Sequence, residues 1–287
     1  KKYINSSNLK EVIEDKLNYI NSIFSTYDDS TEISKINTTN SKNFTLSKDL
    51  SFVLNKAIYY SRLSDGLYDP TVFPLVDLWG FGPTRRNLKP KESEINNLLK
   101  DVSYKNISIY NNELFISNSN IYIDLSSIAK GYAVDIISKL LLDKGYSDFM
   151  VEIGGEVRCN GKNNKNEWII GIINPQYENS LIKTIITNKS MATSGNYNNY
   201  SIYEGITYPH IINPKTGWPI TNNIISASVI ADDCIDADAI ATLLMLFPHE
   251  KGLSIVNKMK NVEALLFVDM NEKIMKVKSN NFDEYLY

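Results

Sequence analysis

Nothing in this chain of 287 residues is long and apolar enough to cross a membrane as a helix. Aliphatic clusters such as Leu140 to Leu142 and Leu243 to Leu246 are short and sit inside helical patterns. Basic tracts are missing too. With a net charge of −3 and no clustered lysines or arginines, the chain lacks the footprint of phosphate-driven nucleic-acid binding. Cysteine is scarce: Cys159 and Cys234 are too few for a disulfide framework, and neither belongs to a metal-type or redox-type pair. Both read as plain small side chains, buried or half-buried. Histidine is limited to His210 and His249, so a zinc-type His/Cys cluster is absent, as are a Ser-His-Asp ordering and a Walker loop. The chain opens on Lys1 and no signal-peptide core follows. The expectation is that a targeting segment was removed or that the chain was cut from something longer.

What is present is an ordinary globular balance of 43% hydrophobic, 22% charged and 11% aromatic residues. A chain of this length buries a sizeable core, as one large domain or two intimate lobes. Leu9, Val12, Ile13, Leu17, Ile20 and Phe24 make one apolar face of a helix beginning near Asn8. A second amphipathic helix begins near Ser47 and stops at Asp65-Gly66. Residues 67–83, broken by prolines and glycines yet rich in aromatics, predict an irregular loop that must pack on something. Strands are expected at 107–110, 114–117 and 121–123, with Asn111-Asn112 as a hairpin turn. Further strands are expected at 149–153, at 156–160 paired with 168–173, and at 224–231, 264–268 and 274–277. Helices are expected over 235–246 and 250–259. This irregular alternation favours an α+β fold, with mixed or antiparallel sheets and packed helices, over a doubly wound parallel sheet. With no repeat and no linker-like tract, residues 1–287 read as a single domain.

Three places can carry chemistry. The first is the corner from Ile123 to Asp135, where a strand end, a serine turn and a helix start bring together Asp124, Lys130 and free backbone carbonyls. A helix start and a lysine both favour negative charge, so the corner suits a phosphate-bearing ligand, although an ordinary strand-turn-helix fits the spacing equally well. The second is Asp238 with Thr242, four apart on one helix face, able to offer two oxygens to a hard cation such as magnesium. Taken in isolation, an acid-rich helix start explains that spacing better. The third is His210, in a loop after a candidate strand and ahead of Asn213-Pro214; it is the natural imidazole to take a proton near neutral pH. His249, after Pro248, reads as a surface residue.

Taken together, eight blocks in order resemble the ApbE-type flavin transferases, or FAD:protein FMN transferases. They are Ser25-Thr26-Tyr27 with Glu32-Ile33-Ser34; Gly66 to Val72; Leu78 to Gly82; Asp124 to Asp135; Ile153-Gly154-Gly155-Glu156; Ala192 to Gly195; His210 to Gly217; and Ala237 to Thr242. The resemblance covers about nine tenths of the chain. It implies an enzyme that uses FAD as substrate and magnesium as cofactor, cleaves the FAD pyrophosphate, and joins FMN through its phosphate to a threonine or serine hydroxyl of an acceptor flavoprotein, releasing AMP.

By position, the family's flavin contacts fall on Tyr27, Leu67, Tyr68, Asp69, Asp124, Lys130 and Ile225. Its metal falls on Asp238, Thr242 and the backbone carbonyl of Ser127, and His210 is the proposed base. The resemblance also implies work at the cell envelope, with fusion to a larger cytosolic reductase as the alternative. Two further readings compete: a magnesium-dependent FAD pyrophosphatase with water as acceptor, and a non-catalytic flavin-binding envelope protein. The sequence departs from the family pattern at Ser126-Ser127, where relatives carry glycines, at Asn213 in place of an aspartate, and in a short or missing opening strand.

Overall fold

The structure, a computed structural model, describes residues 6–118, 120–177, 180–196 and 200–287. Helix α1 (Ser6–Phe24) starts two residues ahead of the expected position and buries Ile20, Ile23 and Phe24. α2 (Glu32–Thr38) is capped by Thr31, whose hydroxyl accepts the Ser34 N–H. A short strand, β1 (Asn43–Thr45), leads to α3 (Lys48–Leu63), which is capped by Ser47 and followed by Asp65 and Gly66 at positive φ.

The stretch 67–83 is less irregular than its composition suggests. It contains α4 (Phe73–Leu78), with Pro74 in the first turn, where a missing N–H breaks no helical bond. α5 (Glu92–Leu98) precedes the hairpin β2 (Ile107–Tyr110) and β3 (Glu113–Ile116). Its Asn111-Asn112 turn has both residues at positive φ, the geometry that tight hairpins need. β1, unmarked in the sequence, pairs with β3.

The strand expected at 121–123 is instead extended chain without a ladder. The Asn37 side chain takes the place of a neighbouring strand, donating to the Ile123 carbonyl and accepting its N–H, both at 2.8 Å. The Asp124 N–H donates to the Pro70 carbonyl at 2.8 Å.

After α6 (Ala129–Asp143), which stops at Gly145 with φ of +86°, β4 (Phe149–Ile153) and β5 (Glu156–Asn160) form a hairpin closed by Gly154 and Gly155, both at positive φ. That tight turn sends β5 back along β4, so the expected pairing of 156–160 with 168–173 does not form. β6 (Ile169–Ile173) pairs with β7 (Leu181–Ile185) in a separate two-stranded sheet. β8 (Lys189–Gly195) and the hairpin β9 (Tyr200–Tyr203) and β10 (Ile206–Pro209) follow. The chain closes with β11 (Ile224–Ala231), α7 (Cys234–Leu246), α8 (His249–Val256), β12 (Glu263–Met270) and β13 (Lys273–Lys278). His249, expected at the surface, opens α8 with its side chain only 13% exposed.

The main sheet runs β13-β12-β11-β8-β5-β4, and every strand pairing among the described residues is antiparallel. The fold is α+β, as the sequence suggests. α7 is buried almost all round because it packs on β8, β11 and α6 together. Gly131 permits the close approach of α6 to α7: a Cβ there would lie 2.3 Å from the Cys234 carbonyl oxygen and 2.8 Å from the Asp238 Cβ. Cys159 and Cys234 are both buried free thiols, and burial pushes Cys159 up to about 12.

Candidate active site

The crossing of α6 over α7 brings the serine corner to the acidic helix. Asp124 folds the corner: its carboxylate accepts the Ser126 N–H and the Ser126 hydroxyl, both at 2.9 Å, and burial raises its pKa. The Ser127 hydroxyl shares a 2.7 Å hydrogen bond with the Tyr68 phenol, which burial holds in its neutral form. Asp69 braces the preceding loop, accepting from the Thr71 N–H and hydroxyl and, at 2.8 Å, from the Tyr104 N–H. Its pKa is raised by burial against the pull of those bonds.

Asp238, on α7, is 3% exposed. Its Oδ2 accepts the Gly131 N–H at 2.9 Å, and its other oxygen accepts no hydrogen bond from the described residues. Burial pushes its pKa up to about 7. Lys130 opposes that rise and the charge of Glu156 adds to it. One turn on, the Thr242 hydroxyl lies 3.2 Å from the Ser194 hydroxyl of β8.

Lys130, in the first turn of α6, pairs with Glu156. Burial works against the lysine's charge, but Asp238 and Glu156 outweigh it and raise the Lys130 pKa above its ordinary value. Glu156 is 3% exposed, its pKa raised by burial, and its Oε2 is buried without a partner among the described residues.

One cavity of about 440 Å³ collects these groups, a volume typical of small-molecule sites. Leu67, Tyr68, Asp69, Asp124 and Ser127 line one part of it, with Lys130, Asp238, Thr242 and His210 also on its wall. The His210 ring meets Phe81 edge to face, centroids 6.2 Å apart. Phe81 belongs to a second, open groove of about 670 Å³ that also holds Tyr27 and Arg85.

Two residues expected at the site stand apart from the cavity. Tyr27 is 82% exposed over the second groove. Ile225 packs toward the small core around Phe267 and Phe282, beside the irregularity in β11 between Ile224 and Ser226; its carbonyl accepts the Asn196 N–H at 3.0 Å. Conversely, Glu156, Thr193 and Ser194 line the cavity although sequence reasoning gave them no role. Glu156 carried a usable signal, a carboxylate directly after a Gly-Gly turn. The two hydroxyls on β8 had none beyond a run of small residues.

A lysine, a buried carboxylate with an open oxygen, and several hydroxyls at a helix start make a site for a phosphate-bearing ligand on an α+β scaffold. Comparison with known proteins gives that class a family. The ApbE family model matches residues 2–266. A FAD:protein FMN transferase of Vibrio cholerae is 35% identical over 98% of this chain and 85% of its own length, and the Haemophilus influenzae protein of the same name is 33% identical over 96% and 83%. The solved structure of the flavin transferase ApbE from Vibrio cholerae superposes with a TM-score of 0.92 at 33% identity, covering 99% of this chain and 92% of that one. The apbE protein of Thermotoga maritima superposes at 0.88 with 28% identity, covering 99% and 93%. The chain belongs to the ApbE family of flavin transferases.

Proposed function

We propose that this chain is a FAD:protein FMN transferase that moves FMN from FAD onto a threonine or serine hydroxyl of an acceptor flavoprotein. The observation that carries the reading is convergence: nine of the residues placed by resemblance, from segments far apart in sequence, line one cavity. In the reaction, the acceptor oxygen forms a bond to the FMN-side phosphorus, the bond to the bridging oxygen breaks, and AMP leaves with that oxygen. His210 takes the proton from the acceptor hydroxyl, which is a weak nucleophile until deprotonated. Lys130 offsets negative charge on the pyrophosphate, and the helix start at Ala129 favours the same anion.

The donors present suit magnesium. Asp238 is a buried carboxylate with one open oxygen, Thr242 lies a turn away, and Ser127, whose carbonyl the resemblance offers to the metal, lines the same cavity, an all-oxygen set. Among the described residues no group of three His, Cys, Asp or Glu side chains is placed to hold a metal, so a softer ion finds no such cluster. Bound there, the cation would neutralise charge developing on phosphate oxygens. An envelope location belongs to the same proposal and rests on the family resemblance alone. Among the described residues, no helix is long and apolar enough to cross a membrane.

The test is incubation with FAD, magnesium and a candidate acceptor flavoprotein, read by intact-protein mass spectrometry and by AMP release. Protein-bound FMN with equimolar AMP is expected. AMP and free FMN without acceptor labelling would make water the acceptor, and the absence of both products would overturn the enzyme reading.

A further inference from the structure

The unexplained group in the cavity is Glu156. It opens β5 directly after the Gly154-Gly155 turn, on a strand paired with β4 on one side and β8 on the other, so its backbone is fixed. Its side chain is 3% exposed, against 46% for Lys130. One oxygen pairs with the Lys130 ammonium and the other is buried with no partner among the described residues, whose side chains offer Lys130 alone to answer this carboxylate's charge. Lys130 has a long flexible stem and a choice of counter-charges. Its chain neighbour Gly131 donates to Asp238, and a Cβ on Gly131 would touch the Asp238 Cβ, so the lysine is rooted beside that carboxylate. Both acids line the same cavity. A Cβ on Gly154 would lie 3.4 Å from Glu156 Oε2 and 3.5 Å from Lys130 Cδ, so the glycine turn is where the lysine lies down against its partner.

We infer that Glu156 is a positioning residue that holds the Lys130 ammonium away from Asp238, keeping the Asp238 carboxylate open for the divalent cation. The inference rests on the proposed function, which puts the cation at Asp238. Without Glu156, Lys130 turns to Asp238, the buried carboxylate that its chain neighbour Gly131 touches, and competes with the metal for it. Loss of Glu156 therefore acts on metal affinity through Lys130, and removing Lys130 as well undoes the damage.

The test measures manganese(II) binding to the FAD-free protein by electron paramagnetic resonance. Glu156→Gln should weaken binding at least tenfold, whereas Lys130→Met should bind at least as tightly as the parent. The Lys130→Met/Glu156→Gln double variant should return to within about threefold of the parent. An unchanged affinity in Glu156→Gln, or a double variant no better than Glu156→Gln alone, overturns the positioning role. If Glu156→Gln does not fold, Glu156→Asp, which keeps the charge but shortens the reach, should show a smaller loss that Lys130→Met again rescues, and absence of that pattern overturns the role equally. Asp238→Ala separates the two readings. If it binds manganese as the parent does, the metal site proposed above is wrong; if it loses binding while Glu156→Gln keeps it, only the role of Glu156 falls.

Discussion

Helix α7 carries acids at two places, and they are treated in opposite ways. At its start every carboxylate is spoken for. Asp135 reaches across from α6 and accepts the Cys234 N–H at 2.9 Å and the Ile235 N–H at 2.8 Å, with Arg158 at 3.3 Å. Asp236 is held by Lys56 at 2.6 Å and by the Tyr60 hydroxyl at 2.6 Å. One turn further in, Asp238 has a single backbone donor, and Glu156 beside it leaves an oxygen unbonded. Burial raises both Asp135, to about 6, and Asp238, to about 7, so burial alone does not separate them. Leftover bonding capacity does. The first cluster ties α6 to α7, and the second keeps oxygens free for a ligand.

The largest expected effect falls on His210, which lines the same cavity as the second cluster. His210→Ala should lower FMN transfer by about 10²- to 10⁴-fold, the usual contribution of one general base. FAD binding, followed by quenching of flavin fluorescence, should be retained. If binding disappears with activity, His210 shapes the cavity instead of moving a proton.

The two aspartates should then give opposite signs in stability. Asp135→Ala orphans two buried N–H groups at the start of α7 and should cost about 2 kcal/mol in urea unfolding, leaving manganese affinity within about twofold. Asp238→Asn removes a charge that burial disfavours. The folded-state pKa of Asp238 lies above the ordinary 3.8, so the folded chain holds the proton more tightly than the unfolded chain. That contribution to stability is present in full below about pH 4 and is lost as pH rises through about 7. The metal-free asparagine variant should therefore match the parent near pH 4 and exceed it at pH 8, by on the order of 1 kcal/mol after allowance for cavity water. A parent that gains on the variant as pH rises would mean that Asp238 is as well partnered as Asp135.

How far the sequence foretold this contrast depends on the range over which each feature is set. Helical spacing placed α3 and α7 within a residue or two, and the four-residue step from Asp238 to Thr242 put two oxygens on one wall. These are properties of a single helix. The partners that make Asp135 structural come from α7, and from Arg158 on β5; nothing local in 129–143 announces them. Glu156 has a local mark, the Gly-Gly turn before it, but its partner appears only when the β4–β5 turn meets α6, and the partner of β6 follows from the glycine turn that sends β5 elsewhere. Ile225 illustrates the reverse case. The family resemblance put it by position, outside any matching block, with the flavin contacts, but strand alternation beside the irregularity at 224–226 turns its side chain to another core.

The smallest expected effect is the one best placed to break the contrast. Ser138 lies one turn beyond Asp135 on α6, is 1% exposed, and has a buried hydroxyl with no partner among the described residues. It borders a cavity of about 250 Å³ shared with Asp135 and Arg158. If the start of α7 is purely structural, this hydroxyl is an uncompensated cost. Ser138→Ala should then stabilise the protein by about 1 kcal/mol, the usual return for deleting an unsatisfied buried polar group. A loss of similar size would mean that the hydroxyl holds an ordered water in that cavity. Spare polar capacity would then occur at both clusters, and it would no longer tell a ligand site from a structural joint.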